Sequence, residues 1–282
     1  MEILRTIGEL QQFRQQMPDK NSTLGFVPTM GALHQGHISL VNRACEENER
    51  CIVSIFVNPT QFNQNEDFVK YPRNEEADIS MLSSTGAAAV FLPSADEMYN
   101  TGQNHLEFDL NGLDQVLEGK FRAGHFQGVI TIVDKFFSLI QPTKAYFGLK
   151  DFQQLVIIRL MAEKLHPNLK IVACPIVREA DGLAMSSRNQ RLSPIERQRS
   201  LILSEALFSI KDRWRKDSFD SIIGDAVKKL ESSAARLEYL EIIDPETLQT
   251  LNDYPETESV ACIAAWVGDV RLIDNIILPA SI

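Results

Sequence analysis

Two patterns of apolar and polar residues take turns along the first 177 residues, one typical of strands and one typical of helices. Short apolar runs typical of buried strands are separated by stretches in which apolar residues recur with helical spacing. The predicted strands span residues 24–28, 51–57, 88–92, 144–147 and 169–177, and the predicted helices span residues 37–49, 74–84, 128–140 and 151–165. This order is typical of an α/β fold, here a Rossmann-like doubly wound parallel sheet, whose ligand binds at the carboxyl ends of the strands.

The pattern changes after residue 177. A loop at residues 178–191 leads into two helical stretches near residues 194–216 and 219–235, and three strand-like runs follow at 237–243, 259–267 and 270–277. Gly268 and Asp269 are typical of a tight turn, so the last two runs are predicted to form an antiparallel hairpin. We therefore expect a Rossmann-like domain of residues 1–176 and a smaller α+β domain of residues 177–282.

The charge balance excludes some classes of partner. The chain carries 28 Lys and Arg residues against 38 Asp and Glu residues, a formal net charge of -10. Such a chain lacks the positive field that nucleic acids and anionic membranes require, although a few basic side chains and a helix N-terminus can still bind a small anion. Residues 1–10 lack the apolar core of a secretory signal, and no run of eighteen uncharged apolar residues occurs. We expect a cytoplasmic protein.

The cysteines add no metal or disulfide framework to this picture. The four of them lack CxxC spacing and a histidine-rich partner segment, and they are Cys45, Cys51, Cys174 and Cys262. We predict reduced thiols, most of them buried.

The first predicted strand leads directly into the most informative motif, which spans Met30 to His37. Gly31 and Gly36 would let the backbone approach a phosphate, and the N–H groups of the helix that begins there would face the anion. His34 and His37 are three residues apart, so on a helical turn both can reach the same phosphate. The position and spacing of this HxGH motif predict a nucleotide site.

A second motif lies far downstream, at Met185, Ser186, Ser187 and Arg188. Serine and arginine side chains can donate hydrogen bonds to a phosphate chain. Together, the two motifs resemble those of the nucleotidyltransferase superfamily, whose members attack the α-phosphate of a nucleotide and release pyrophosphate.

Six stretches carry a closer resemblance, to the pantothenate synthetase family. They are residues 28–37 (PTMGALHQGH), 56–62 (FVNPTQF), 71–73 (YPR), 124–129 (GHFQGV), 147–154 (FGLKDFQQ) and 178–189 (READGLAMSSRN). The family more often writes the fifth stretch as FGEKDYQQ, so Leu149 and Phe152 depart from it and lack the carboxylate and phenol found there.

The resemblance implies a role for each matching residue. The catalytic residues would be His34, His37 and Lys150, and Gln61 and Gln154 would bind pantoate, with Gln61 also at β-alanine. Neutral amides suit a substrate that carries hydroxyls as well as a carboxylate. The ATP site would comprise Met30, Gly31, Ala32, Leu33, His34, Gln35, Gly36, His37, Gly148, Leu149, Lys150, Asp151, Val177, Met185, Ser186, Ser187 and Arg188. Arg122 is a further candidate ligand for an anion, and Asn58 would orient the loop that binds pantoate.

The implied reaction is an ATP-dependent ligation of pantoate and β-alanine through a pantoyl-adenylate. The resemblance also implies a homodimer, with ATP as a substrate. Few carboxylates cluster near the motifs, so we expect Mg²⁺ to arrive with the nucleotide and predict no protein metal site. HxGH alone is equally compatible with a cytidylyl- or adenylyltransferase, which pantoate-dependent AMP formation would distinguish. The acidic, helix-rich second domain leaves a nucleotide-binding regulatory or assembly module as the alternative from another class, which turnover would exclude.

Overall fold

A computed structural model describes residues 1–17, 22–63, 65–99 and 105–281, with the side chains of residues 65 and 66 outside the description. The described residues form two sheets with helices around them. The strands are β1 (Glu2–Leu4), β2 (Leu24–Thr29), β3 (Arg50–Ile55), β4 (Ala89–Phe91), β5 (Lys144–Gly148), β6 (Lys170–Cys174), β7 (Ala235–Ile243), β8 (Ser259–Val267) and β9 (Val270–Leu278). The helices are α1 (Ile7–Gln15), α2 (Gln35–Glu47), α3 (Asn65–Lys70), α4 (Glu75–Ser83), α5 (Ala95–Tyr99), α6 (Leu117–Phe121), α7 (His125–Ile140), α8 (Phe152–Leu165), α9 (Pro194–Arg213) and α10 (Phe219–Glu231).

The larger sheet is parallel, with the strand order β1-β4-β3-β2-β5-β6. Each central strand is buried on both faces, as its continuous apolar run predicts. The direction of winding reverses between β2 and β5, which are neighbours in the sheet but distant in sequence. In doubly wound sheets, the crevice at such a reversal is where ligands bind. The predicted α/β class is confirmed.

The smaller sheet is antiparallel, with the order β7-β8-β9. Helices α9 and α10 cover it and enclose a second apolar core with it. Gly268 stands at φ 57° in the turn between β8 and β9, as predicted for this hairpin. A further apolar cluster joins the two parts, because Leu117, Phe152 and Val156 pack against residues of the small sheet such as Tyr239 and Val260.

Several predicted bounds differ from the structure for local reasons. Strand β6 ends at Cys174 because Pro175 lacks the N–H that would continue the ladder. Strand β3 ends at Ile55, two residues before the prediction, and a 3-10 turn follows at Pro59–Gln61. Helix α7 begins three residues earlier than predicted, at His125, directly after Gly124 in a left-handed conformation. Strand β1 and helix α1 have no counterpart among the predicted elements.

Candidate active site

The predicted motifs meet at the carboxyl edge of the parallel sheet. The loop after β2 ends at His34, the first turn of α2 carries His37, and the 3-10 turn after β5, at Leu149–Asp151, carries Lys150. Since β2 and β5 are neighbours, these two loops lie side by side at the point where the winding reverses. The sheet therefore brings together residues that are more than a hundred positions apart.

A buried carboxylate shapes the loop between β2 and α2. Asp78, on α4, accepts hydrogen bonds from the backbone N–H groups of Ala32 (2.9 Å) and Leu33 (2.7 Å). Gly31 and Ala32 both have positive φ, and a Cβ on Gly31 would lie 2.9 Å from an Asp78 carboxylate oxygen. Gly31 is thus needed for close packing against Asp78, and the amides of Ala32 and Leu33 hold the loop. The predicted reason for Gly31, room for a phosphate, is not the one that this geometry shows.

The two histidines of the motif cap helix α2, and their rings are in contact at a tilt of 37°. His34 is the N-cap residue, and its Nδ1 accepts from the Gly36 N–H at 3.2 Å. His37 Nδ1 accepts from the His34 N–H at 3.3 Å, and the ring centroids are 4.0 Å apart. An imidazole whose Nδ1 accepts a hydrogen bond carries its proton on Nε2. Both rings therefore have an Nε2–H donor and line the same cavity. A Cβ on Gly36 would lie 2.9 Å from the His34 ring, so this glycine makes room for the imidazole.

Burial keeps both imidazoles neutral. It lowers the pKa of His34 to about 4, and the positive charge of Lys150 acts in the same direction. Burial, followed by the neighbouring His34 and Lys150, lowers the pKa of His37 to about 3. Near pH 7, the pair can donate two hydrogen bonds to an anion without carrying charge itself.

Lys150 contributes positive charge to the cavity. Its side chain is 18% exposed, and its Nζ lies 3.6 Å from a carboxylate oxygen of Asp151. The loose pairing distance leaves the ammonium able to bind a phosphate oxygen as well, because Lys has three donors.

The downstream serine and arginine motif closes the opposite side. It follows a narrow hairpin in which Arg178 bridges Ala184. Ser187 donates from its hydroxyl to the Ala32 carbonyl at 3.0 Å, which ties this loop to the loop after β2. The Arg188 guanidinium lies 5.8 Å from the ring centroid of Tyr71. The two motifs predicted to share one nucleotide site are therefore in contact.

These elements enclose a cavity of about 160 Å³. The predicted residues that line it are Met30, His34, Gly36, His37, Gly148, Lys150, Asp151, Gln154, Val177, Met185, Ser186, Ser187 and Arg188. A neighbouring cavity of about 450 Å³ shares Lys150, Asp151, Ser186 and Arg188 with it and extends along the small sheet. Gly31, Ala32, Leu33, Gln35 and Leu149 are not among the residues that line the first cavity, so a role for them there would be indirect or would involve the backbone.

The two predicted pantoate ligands differ in their surroundings. Gln154 is half-buried, lines the cavity and makes no side-chain hydrogen bond with another described residue. Gln61 is buried, and its amide NH₂ donates to the Met30 sulfur at 2.9 Å. The amide of Asn58 donates to the Gln61 side-chain oxygen at 3.2 Å, which orients Gln61 toward Met30. Gln61 is thus not in the cavity wall itself but contacts Met30, which is.

His125 lies in one of the matching stretches, but it is not among the predicted site residues. His125 is buried, and its Nδ1 lies 2.7 Å from the Gln61 carbonyl oxygen, so Nδ1–H donates and Nε2 is left as an acceptor. Burial, and then the charge of Arg122, lower its pKa to about 3. His125 and Arg122 line a small cavity of about 40 Å³ that also contacts Gln154. A neutral acceptor and a guanidinium therefore stand beside the predicted pantoate ligand.

No group of three or more His, Cys, Asp or Glu side chains within the described ranges is arranged to hold a metal ion. Across the same ranges, no helix combines the length and the apolar character needed to cross a membrane. The four cysteines are free thiols, three of them buried and Cys45 partly exposed, as predicted.

Comparison with known proteins gives a consistent result. The family model described as Pantoate-beta-alanine ligase matches residues 2–277. The pantothenate synthetase of Phocaeicola vulgatus is 49% identical over 283 residues, which cover 98% of this chain and 99% of that protein. The crystal structure of pantothenate synthetase from Thermus thermophilus is similar, with a TM-score of 0.91, 40% identity and coverage of 98% of this chain and 99% of the other.

A second solved structure bears on the ligands of the site. It is a pantoate-beta-alanine ligase from Francisella tularensis, complexed with beta-gamma ATP and beta-alanine. Its TM-score is 0.82 at 36% identity, with coverage of 98% of this chain and 97% of that one.

Proposed function

The chain belongs to the pantoate-beta-alanine ligase family, and we propose that it activates pantoate with ATP before joining it to β-alanine. HxGH had left open a cytidylyl- or adenylyltransferase, and the acidic second domain had left open a nucleotide-binding regulatory or assembly module; neither is the activity that the name of this family describes. The observation that best supports the use of ATP is the convergence of two neutral imidazole donors, Lys150 and the Ser186 to Arg188 loop on one cavity.

The first step forms the mixed anhydride. A pantoate carboxylate oxygen attacks the α-phosphorus of MgATP, and the bond to the bridging oxygen breaks so that pyrophosphate leaves with the electron pair. The carboxylate is already a nucleophile, so the protein has to position the reactants and neutralise charge. His34 and His37 donate to phosphate oxygens, and Lys150 faces the α-phosphate as negative charge grows there. Arg188 and the serines before it bind the departing phosphates.

The second step forms the amide. The amine of β-alanine attacks the activated carbonyl carbon, and AMP leaves with the electron pair of the broken C–O bond. Gln154 holds pantoate from the cavity wall, while Gln61 binds pantoate and β-alanine from the side of Met30. Support for these roles comes from the positions of the two amides and from the similarity to an enzyme crystallised with beta-alanine.

A rapid-quench experiment tests the order of the steps. Because activation needs no amine, protein mixed with MgATP and pantoate alone should release about one pyrophosphate per site, without rapid accumulation of AMP. A scheme in which β-alanine must bind first predicts no pyrophosphate until the amine is added. Absence of the burst in a preparation that is fully active with all three substrates would refute the adenylate pathway.

The setting of the enzyme is also a proposal. We propose a cytoplasmic homodimer in which Mg²⁺ arrives with ATP and residues 177–282 form a lid over residues 1–176. Free thiols support a reducing compartment, and the ion pair between Arg188, from residues 177–282, and Asp67, from residues 1–176, supports the lid. Sedimentation of a monomer at micromolar concentration would reject the dimer.

A further inference from the structure

Two neighbouring residues of strand β9, Asp274 and Asn275, contact both loops that supply the proposed ATP site. Each is only 3% exposed, although successive side chains of a strand point to opposite faces. A strand with one face in a core usually buries alternate residues, so two consecutive buried polar residues require partners on both sides. The partners are in the two loops.

Asn275 holds the turn that carries Lys150. Its side-chain Nδ2 donates to the backbone carbonyl oxygens of Leu149 and Lys150, both at 2.9 Å. An amide NH₂ has two hydrogens, and both are used in these two bonds. The side chain therefore acts on the backbone of the turn and has no N–H left for a substrate.

Asp274 holds the base of the other loop. Its carboxylate oxygens accept from Arg178 Nη1 at 2.6 Å and Nη2 at 2.9 Å, a bidentate pair. Arg178 also donates to the carbonyls of Gly182 (3.0 Å) and Asn275 (3.2 Å). The Arg178 guanidinium thus closes the hairpin that leads into the serine and arginine motif. It also connects this hairpin to strand β9.

We infer that Asn275 is a positioning residue for the adenylation step. It sets Lys150 at a fixed distance from the serine and arginine loop, which Asp274 anchors. This inference rests on the proposed function. Lys150 and Asn275 are 125 positions apart in sequence, and the hydrogen bonds of Asn275 connect the Lys150 turn to the small sheet, which also holds the other loop through Asp274. A misplacement of about 1 Å at a reacting centre can cost ~10²-fold in rate. The two hydrogen bonds from Asn275 to the Lys150 turn should therefore affect the rate of the first step.

Two variants test the inference. Asn275→Ala removes both hydrogen bonds, and Asn275→Asp places a carboxylate against two carbonyl oxygens. We expect the pyrophosphate burst with MgATP and pantoate to slow by ~10-fold and ~10²-fold respectively, while KM for ATP changes by less than about threefold. Aminolysis of pre-formed pantoyl-adenylate by β-alanine should keep its rate within about twofold, because Lys150 acts in the first step.

Tyr254→Phe is the matched control. Its hydroxyl donates to the Asp217 carbonyl at 2.7 Å within the small domain, so the variant also loses a hydrogen bond to a backbone oxygen. This variant should retain the burst rate. Equal slowing of both half-reactions in the Asn275 variants, or a burst unchanged from wild type, would overturn the inference.

A double-mutant cycle with Lys150→Ala separates positioning from general stability. If Asn275 acts through Lys150, Asn275→Ala should cost less than about twofold once Lys150 is gone. Full additivity of the two effects would overturn the inference. Wild-type protein that makes no pantothenate would instead reject the proposed function. Amide hydrogen exchange in the turn at Leu149–Asp151 would then test the positioning by itself: exchange should be faster in Asn275→Ala than in Tyr254→Phe, and equal exchange in the two variants would overturn the inference.

Discussion

Asp67 forms an ion pair with Arg188, which is one of the proposed ATP ligands. One carboxylate oxygen of Asp67 accepts from Arg188 at 2.8 Å and the other accepts from Arg191 at 2.9 Å. Burial alone would raise the pKa of Asp67, but the two guanidinium groups outweigh it and hold that pKa below its ordinary value. Arg188 lines both cavities, so a phosphate that binds it has to displace the carboxylate or share the guanidinium with it. We predict that Asp67→Asn increases the affinity for ATP.

The magnitude follows from the burial of the pair. The side chains of Asp67 and Arg188 are 27% and 23% exposed, which places the pair between a surface ion pair and a buried one. A surface pair contributes about 0–1 kcal/mol and a hydrogen bond to a charged group about 1.5–3 kcal/mol, so about 1–1.5 kcal/mol is a reasonable estimate here. Removing that competition should lower the Kd for ATP by ~5–10-fold.

Calorimetric titration with ATP, at two salt concentrations, measures the effect. Glu205→Gln is the matched control, because it also removes one negative charge from an ion pair, in this case with Lys229 on the surface of α9 and α10. The control should bind ATP as wild type does. An Asp67→Asn variant that binds ATP more weakly would refute the reasoning and show that the carboxylate preorganises Arg188 instead.

Three further predictions test separate contacts. His34→Ala should slow the pyrophosphate burst by ~10²–10³-fold, measured by rapid quench, because it removes a donor aimed at the phosphates. Gln61→Ala should raise KM for pantoate by about tenfold in steady-state assays and leave the affinity for ATP unchanged. Arg271→Ala should destabilise the fold by about 1.5–3 kcal/mol in urea titrations at pH 7, because the buried Glu118 carboxylate loses its two bonds to Arg271 and keeps, among the described residues, only the Tyr239 hydroxyl at 2.7 Å and the Arg122 guanidinium at 3.8 Å. Burial would raise the pKa of Glu118, but Arg271, together with Arg122 and Tyr239, lowers it to about 2. The contribution of Glu118 to wild-type stability should therefore be fully present above about pH 4.5 and be lost as the pH falls through about 2, and the variant should show a smaller dependence.

The parallel sheet could be predicted from sequence because each central strand is a continuous apolar run between helices of clear period. Strand β1 and helix α1 could not be predicted that way, since β1 has three residues and α1 buries only Leu10 and Phe13. A usable signal was nevertheless present. Thr6 and Glu9 have the spacing of a capping box, and both of its hydrogen bonds form.

The position of the candidate site could also be predicted, whereas its internal bonding could not. A motif at the end of a strand places His34 and Lys150 at one edge of the sheet. Burial and hydrogen-bond partners decide whether a histidine is charged and which nitrogen holds its proton, and neither can be read from the motif. Asp78 is 46 positions from Ala32 and Asn275 is 125 from Lys150, so no local pattern indicates either pairing.

The acidity of the chain and the anionic character of its proposed substrates are compatible because much of the site works without charge. His34 and His37 are neutral donors, so they add no like-charge repulsion toward Lys150 and lose no binding power if the local pH shifts upward. Of the cations, Lys150 is paired with Asp151 and Arg188 with Asp67 within the chain itself. A phosphate at the proposed site would therefore displace the anionic partner of each cation or share the cation with it. Selectivity for the nucleotide then depends on the fixed positions of the donors. For this reason, the contacts that hold the two loops contribute as much to the proposed site as the side chains on those loops.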